Sequence, residues 1–253
     1  MMQSDDHLLC AAPLYAWRIL DEGLAATPEA GVAADFGLLD AVAAGEAPAT
    51  IRLWENRPCL VVSGRDTRLP RFDAACREMA RLGRPVITRR SGGTAVPHGE
   101  GVLLVSMVYA LEGRAADSVD QGYEALCAWM VEAIATLGIH ADCRSVPAAF
   151  CDGRYNLAVG PRKIAGTAQR WRRRTVAGAT RQGVIAHALL LVEGDPTAMT
   201  EAVNRFYALA GGTQRFDAES VTTMARCLKQ PSDMMAQVRR ALVDAAASQP
   251  IPQ

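Results

Sequence analysis

The apolar positions Tyr123, Leu126, Met130, Ile134 and Leu137 recur at three- and four-residue intervals, which predicts a helix over about 119–137 with Gly138 as its stop and Ser118 as its cap. Residues 11–45 also read as helix, with Phe36, Leu39 and Val42 on one face and Gly45 at the end. Two β-rich runs at 51–54 and 59–62 flank the turn chemistry of "ENRP" and predict a hairpin. "RFDAACREMARLGRP" has helical composition and stops at Gly83 ahead of Pro85, after which "PVITRR" reads as a strand. Further strands are predicted in the apolar run "VLLVSMVYAL", in "YNLAV" and "KIAGTAQR" on either side of Gly160-Pro161, and in "GVIAHALLLV". From "PTAMTEAVNRFYALAG" onward the chain is helical, punctuated by Gly, Pro and Ser. Strands and helices mix without regular βαβ alternation, so the expected class is α+β, a mixed and largely antiparallel sheet flanked by helices.

Composition narrows the function classes. The 253 residues, half of them hydrophobic, suit one domain spanning 1–253. Lys plus Arg balances Asp plus Glu at 27 each, so no global field draws the chain to nucleic acid or to an anionic membrane. The start "MMQSDDHLLC" is acidic, and no apolar run nears the roughly 20 residues of a bilayer span, which leads us to expect a cytoplasmic protein. Seven scattered cysteines without a CxxC pair read as free thiols. His140, Cys143 and Cys151 lie near one another in sequence, but their spacing matches no tetrahedral zinc template, and no metal is expected.

Two stretches carry candidate chemistry. In "RRSGGTAVPHGEG" the doublet Gly92-Gly93 lets backbone amides approach a ligand, Arg89 or Arg90 offers positive charge, and His98 is a base, a clamp or loop filler. No GK[ST] follows, so this is not a Walker loop; a strand rather than a helix comes next, so it is not a dinucleotide fingerprint. The alternative is an ordinary tight turn with a surface arginine pair. "FCDGRYNLAVGPRKIAGTAQR" holds Cys151 and Lys163. If Gly160-Pro161 is a hairpin turn, Lys163 faces about Ala158, and Cys151 lies seven residues further back, roughly 23 Å along an extended strand. The two can meet only if "SVPAAFCDG" folds back, which Pro147 and Gly153 permit. Cys151 is therefore a nucleophile or a small buried hydrophobe, and Lys163 its partner or a solvated turn residue. Arg170, Arg172, Arg173, Arg174 and Arg181 form either a charged sheet edge or a docking rim.

In order and spacing, "RLWENRPCLVVSGR", "PVITRRSGGTAVPHGEGVLLVSM" and "DGRYNLAVGPRKIAGTAQR" together resemble the biotin/lipoate protein ligase and octanoyltransferase superfamily, over about 35–210, with 211–248 a helical C-terminal extension. The resemblance implies a core like that of class II aminoacyl-tRNA synthetases and biotin ligases, and a reaction joining an octanoyl or lipoyl group to a carrier lysine. It implies that Arg90, Ser91, Gly92, Gly93, Thr94 and His98 line the acyl pocket, with Gly166 in the same site, and that Lys163 contacts the acyl carbonyl. "FCDGRYNL" and "PRKIAG" are similar to the transferases that draw on the glycine cleavage H protein, whose nucleophile falls on Cys151. A transferase needs no cofactor; the alternative, a lipoate ligase, needs ATP and magnesium; a third reading is a non-catalytic lipoyl-domain binder. The implied partners are lipoyl domains of 2-oxoacid dehydrogenase complexes and the H protein, typically acidic, toward which an arginine rim would steer.

Overall fold

A computed structural model describes residues 17–112, 119–176, 178–228 and 233–252. Its frame is a seven-stranded sheet in the order β1 (Arg18–Leu24), β2 (Thr50–Glu55), β6 (Val102–Glu112), β10 (Ala179–Leu191), β9 (Arg162–Val176), β8 (Asn156–Val159) and β7 (Asp142–Arg144). Only β1 and β2 pair parallel; every other pairing in this sheet is antiparallel. A smaller sheet sets β3 (Cys59–Ser63) between β4 (Val86–Arg89), parallel, and β5 (Val96–His98), antiparallel. The mixed, largely antiparallel α+β arrangement expected from the sequence is the one that forms.

Two expectations are corrected. Residues 51–54 and 59–62 do not form a hairpin, because β2 is buried along nearly its whole length with its two edges taken by β1 and β6, while β3 is equally buried inside the other sheet. Each is a central strand, so neither has an edge left for the other. The expected helix over 11–45 is shorter: 18–24 extend as β1 on the edge of β2, and α1 (Pro28–Ala44) begins only after Thr27, whose hydroxyl accepts from the Ala30 amide. Gly45 ends it with a left-handed φ of 79°. Residues 11–16, and the expected cap at Ser118, lie outside the described residues.

Period-two alternation sorts the large sheet into two cores. Ile51, Leu53, Val184, Ala186 and Leu190 face α3 (Val119–Ala135) and α6 (Met234–Ala246), where Trp129, Met130 and Leu242 are fully enclosed. The neighbours Trp54, Ile185 and Leu189 face the other way, against α1, the small sheet and α4 (Pro196–Ala210). The short α2 (Phe72–Arg81) and α5 (Met224–Leu228) complete the shell. That second face holds the site.

A buried ion pair closes one end of it. Arg52, alternating with Ile51 and Leu53, turns to the α1 side, donates to Asp35 Oδ1 at 2.7 Å and to the Gly31 carbonyl at 3.1 Å, and also reaches Glu22 at 2.7 Å. Ser106 donates to the other Asp35 oxygen at 2.9 Å. Burial pushes the Asp35 carboxyl above its ordinary range, and Arg52 opposes the shift.

Candidate active site

The register of four strands tiles a floor. One row runs Arg52, Ser106, His187, Ala168, and the next Trp54, Leu104, Leu189, Gly166, across β2, β6, β10 and β9. Three interstrand spacings make the floor about 14 Å across. Over it lie Val32, Asp35 and Phe36 of α1, Val61 of β3, Arg89 of β4 and Val96 and His98 of β5, leaving a narrow, mostly apolar slot with Cys151 in its wall. Such a slot suits an unbranched hydrocarbon chain. The Asp35 and Ser106 side chains stand at the β2 side, Gly166 and Thr167 at the β9 side.

Cys151 reaches the slot because its loop folds back. Asp152 accepts from the Val146 amide at 2.7 Å, from Asn156 Nδ2 at 2.6 Å and from Ser145 Oγ at 2.8 Å, which draws the segment into a closed turn. Two residues in it take left-handed backbone without being glycine, Ala148 with φ 66° and Cys151 with φ 49°. That conformation costs on the order of 1 kcal/mol per residue, so the surroundings must hold it. Two contacts do so at Cys151. Thr94 Oγ1 accepts from its amide at 2.8 Å, and Lys163 Nζ donates to its carbonyl at 2.6 Å and to that of Phe150 at 2.7 Å. Lys163 itself pairs with Ala158 across the Gly160-Pro161 turn, the register the sequence implies.

Lys163 is 1% exposed, and burial pushes its ammonium down to about 8, with Cys151 and Asp152 pulling the other way. Its two hydrogen bonds are compatible with either protonation state. A neutral amine has two N–H bonds and both are used; the ammonium has a third. Gly166 leaves room beside it, since a Cβ there would sit 2.7 Å from Nζ.

The glycine loop is braced from behind. Tyr207 donates to Asp66 at 2.9 Å and accepts from the Ala95 amide at 2.9 Å, while Asp66 also holds the Ser63 amide. Arg89 is buried; its guanidinium donates to the carbonyls of Val61, Gly92 and Thr94 and lies 3.8 Å from Cys151 Sγ. Gly93, at φ 96°, lies flat against that sulfur. Ser91 Oγ meets His187 Nε2 at 2.9 Å, so it acts on the slot through the histidine. His98 Nδ1 lies 3.2 Å from Asn56 Nδ2, and because Asn56 Oδ1 accepts from the Arg57 amide, its NH2 faces the ring: Nδ1 accepts and the proton belongs on Nε2. Arg90 departs from the expected pocket lining. It is exposed, with its guanidinium 5.9 Å over the Phe36 ring, at the slot's outer margin.

Of the residues expected from the sequence, Arg89, Gly93, Thr94, Lys163 and Gly166 gather around Cys151, while Arg90 lies outside; His187, Asp35, Ser106, Phe36, Trp54 and the Asp66–Tyr207 brace were not anticipated. A signal existed for His187, the lone ionisable residue in the apolar run "GVIAHALLLV". Cys143 lies exposed on β7, and among the described residues no group of three or more His, Cys, Asp or Glu side chains is arranged to hold a metal ion.

Burial, and secondarily the Arg89 charge, push both His98 and His187 down to about 3 from the ordinary 6.5. Between those values an unfolded chain binds protons that the folded chain refuses. Stability present above pH 6.5 is therefore lost as pH falls, by about 1.4 kcal/mol per pH unit for each ring. Urea midpoints should drop between about pH 7.5 and about pH 5, and drop less in His187→Gln. A wild-type midpoint that is flat over this range contradicts the assignment.

The arginine run divides by strand alternation. Arg170, Arg172 and Arg174 pair with Ile185, Gly183 and Arg181 of β10, on the slot's side of the sheet, because a Cβ on Gly183 would strike Ala43 and Leu39 of α1. Arg172 and Arg174 share Asp40 at 2.8 and 3.7 Å. Arg173 falls on the opposite face.

The sequence profile of the lipoyl protein ligase A/B catalytic domain matches residues 27–247. The chain belongs to that family. An octanoyl-[GcvH]:protein N-octanoyltransferase of Kyrpidia tusciae is 39% identical over 87% of this chain and 75% of its own length. A lipoyl-[GcvH]:protein N-lipoyltransferase of Listeria monocytogenes is 28% identical over 71% of this chain and 61% of its own. In fold, lipoate-protein ligase A bound with ATP superposes with a TM-score of 0.69 over 92% of this chain and 85% of that one, at 18% identity. As a lipoyl protein ligase A/B family member the chain is an enzyme, and the slot on the α1 side of its sheet is its candidate active site. Among the described residues no helix is long and apolar enough to cross a membrane.

Proposed function

We propose that this enzyme moves an octanoyl or lipoyl group from one carrier protein to a lysine of another through a thioester on Cys151. The observation that carries this reading is Cys151 in the wall of an apolar slot with the buried Lys163 amine on its carbonyl. In the first half, the Cys151 thiolate attacks the carbonyl of the donor's acyl-lysine amide. The S–C bond forms, the C–N bond breaks, and the departing amine takes the proton that the thiol released, carried by Lys163, whose value of about 8 lets it hold or give a proton near neutral pH. In the second half, the neutral amine of the acceptor attacks the thioester. C–N forms, C–S breaks, sulfur leaves as thiolate, and Lys163 takes the proton. One lysine amide replaces another, so the exchange is nearly neutral in free energy and needs neither ATP nor magnesium.

Intact-mass analysis after incubation with an octanoylated H protein, without nucleotide, tests this. An added octanoyl mass on the wild type that is absent from Cys151→Ala supports it; product formed only when ATP and magnesium are supplied returns the chain to the ligase reaction, with Cys151 a bystander. Binding of the carrier with transfer from no donor makes it a lipoyl-domain binder.

The GcvH in the relatives' names suggests the glycine cleavage H protein as one partner here, and lipoyl domains of 2-oxoacid dehydrogenase complexes are the further carriers we propose. Arg170, Arg172 and Arg174 lie on the slot's side of the sheet and offer an acidic carrier a landing strip. Raising KCl from about 0.05 to about 0.5 M should lower kcat/KM for the carrier several-fold, and Arg170→Glu should flatten that dependence. An identical salt profile in the variant removes the docking role.

A further inference from the structure

Arg89 carries a permanent charge yet is only 5% exposed, and among the described residues no carboxylate lies within ion-pair distance of it. A buried cation without an anion is costly and is usually paired. Its donors are instead distributed over backbone carbonyls: Nε to Gly92 at 3.2 Å, Nη1 to Val61 at 2.9 Å, Nη2 to Gly92 at 2.9 Å and to Thr94 at 2.8 Å. The remaining contact of Nη2 is Cys151 Sγ at 3.8 Å. Only one contact in this set is with a group that can become an anion.

Among the described residues, no other ionisable side chain with a permanent charge is hydrogen-bonded to that sulfur. Lys163 of β9, pushed down to about 8 by burial and in lesser part by Arg89, still carries its proton for most of the time at neutral pH, but two of its three N–H bonds are committed to the Phe150 and Cys151 carbonyls. His98 of β5 and His187 of β10 are neutral. Asp152, next in the chain, is turned to Val146, Ser145 and Asn156, and the Tyr123 phenol of α3 is pushed up by burial and in lesser part by Cys151.

We infer that Arg89 is a further catalytic residue, the fixed counter-cation of the Cys151 sulfur, donating through Nη2 to the thiolate that attacks and to the same thiolate when it leaves, while Lys163 clamps the loop and carries the proton. The proposal rests on the Cys151 thioester reading. It separates the two basic residues by task. A planar guanidinium keeps its charge whichever way the proton moves, whereas an amine that shuttles the proton is neutral for part of every cycle.

The test is the second-order rate of iodoacetamide alkylation at Cys151, read by peptide mass spectrometry at neutral pH. Arg89→Gln should slow it at least about tenfold, while Arg89→Lys, which keeps the charge, should stay within about threefold of wild type. Wild-type alkylation of Cys151 in a natively folded Arg89→Gln overturns the proposal. If that variant does not fold, Arg89→Lys decides: an alkylation rate reduced as far as about tenfold in a folded Arg89→Lys also overturns it, because position 89 would then be serving the loop's shape and not its charge. Failure of the thioester reading looks different: no acyl adduct forms on the wild type. An adduct on the wild type together with undiminished alkylation in Arg89→Gln removes the arginine proposal alone.

Discussion

Cys151→Ser should lower nucleotide-free octanoyl transfer by at least about a thousandfold while leaving the chain folded. Serine is close to cysteine in volume, and the backbone contacts that hold position 151, from Thr94 to its amide and from Lys163 to its carbonyl, do not involve the side chain. What changes is the nucleophile. A hydroxyl beside Arg89 and Lys163 has no comparable anionic form near neutral pH, so the first half of the exchange stops, and the acyl adduct should vanish with it. Transfer rates from octanoylated H protein, with the urea midpoint as a folding control, provide the measurement. ATP-free turnover within tenfold of wild type would end the covalent mechanism.

Gly93→Ala should lower kcat about a hundredfold with the apolar slot itself unaltered. Glycine is required at this position for two separate reasons. Its φ of 96° is disfavoured for any residue with a Cβ, and that Cβ would sit 2.5 Å from Cys151 Sγ and 3.0 Å from Arg89 Nη2. The sulfur cannot yield easily, because its backbone is held by Thr94 and Lys163, and the guanidinium cannot yield without losing carbonyl contacts. The clash therefore displaces the sulfur, and displacement of about 1 Å is enough for the expected loss if that sulfur is the proposed nucleophile. Gly92→Ala is the control: a Cβ at Gly92 meets nothing within 4 Å. Comparable losses in both variants would mean that loop flexibility, not contact with the sulfur, is what the doublet provides.

Much of this was legible in the chain, for reasons that are local. Helical spacing in 119–137 and the apolar strand now seen as β6 are properties of short windows, and burial of their apolar faces is what forms them. The Gly160-Pro161 turn fixed the partner of Lys163 as Ala158, because a tight turn dictates register over the few residues beside it. The grouping was legible as well, since the glycine doublet, the cysteine and the lysine lie in ordered motifs, and Gly93, Cys151 and Lys163 come together in the fold.

Long-range choices were not legible. "ENRP" has the composition of a hairpin turn, yet its flanking strands part into two sheets, since which edge a central strand uses depends on strands that arrive from β1, β5 and β6. Nor could spacing tell Arg89 from Arg90. One is buried at the end of β4 and the other exposed over Phe36, a difference of strand alternation at a sheet edge.

The sequence by itself determined the elements, the family motifs and the residue types able to carry an acyl group, because those depend on spacing along the chain. Only the tertiary structure decided that Cys151 and Lys163 meet: an extended chain holds them far apart, and their contact exists because Asp152, Thr94 and two left-handed residues fold the loop back over β9. It also decided which cation faces the sulfur, since that follows from burial and direction in space.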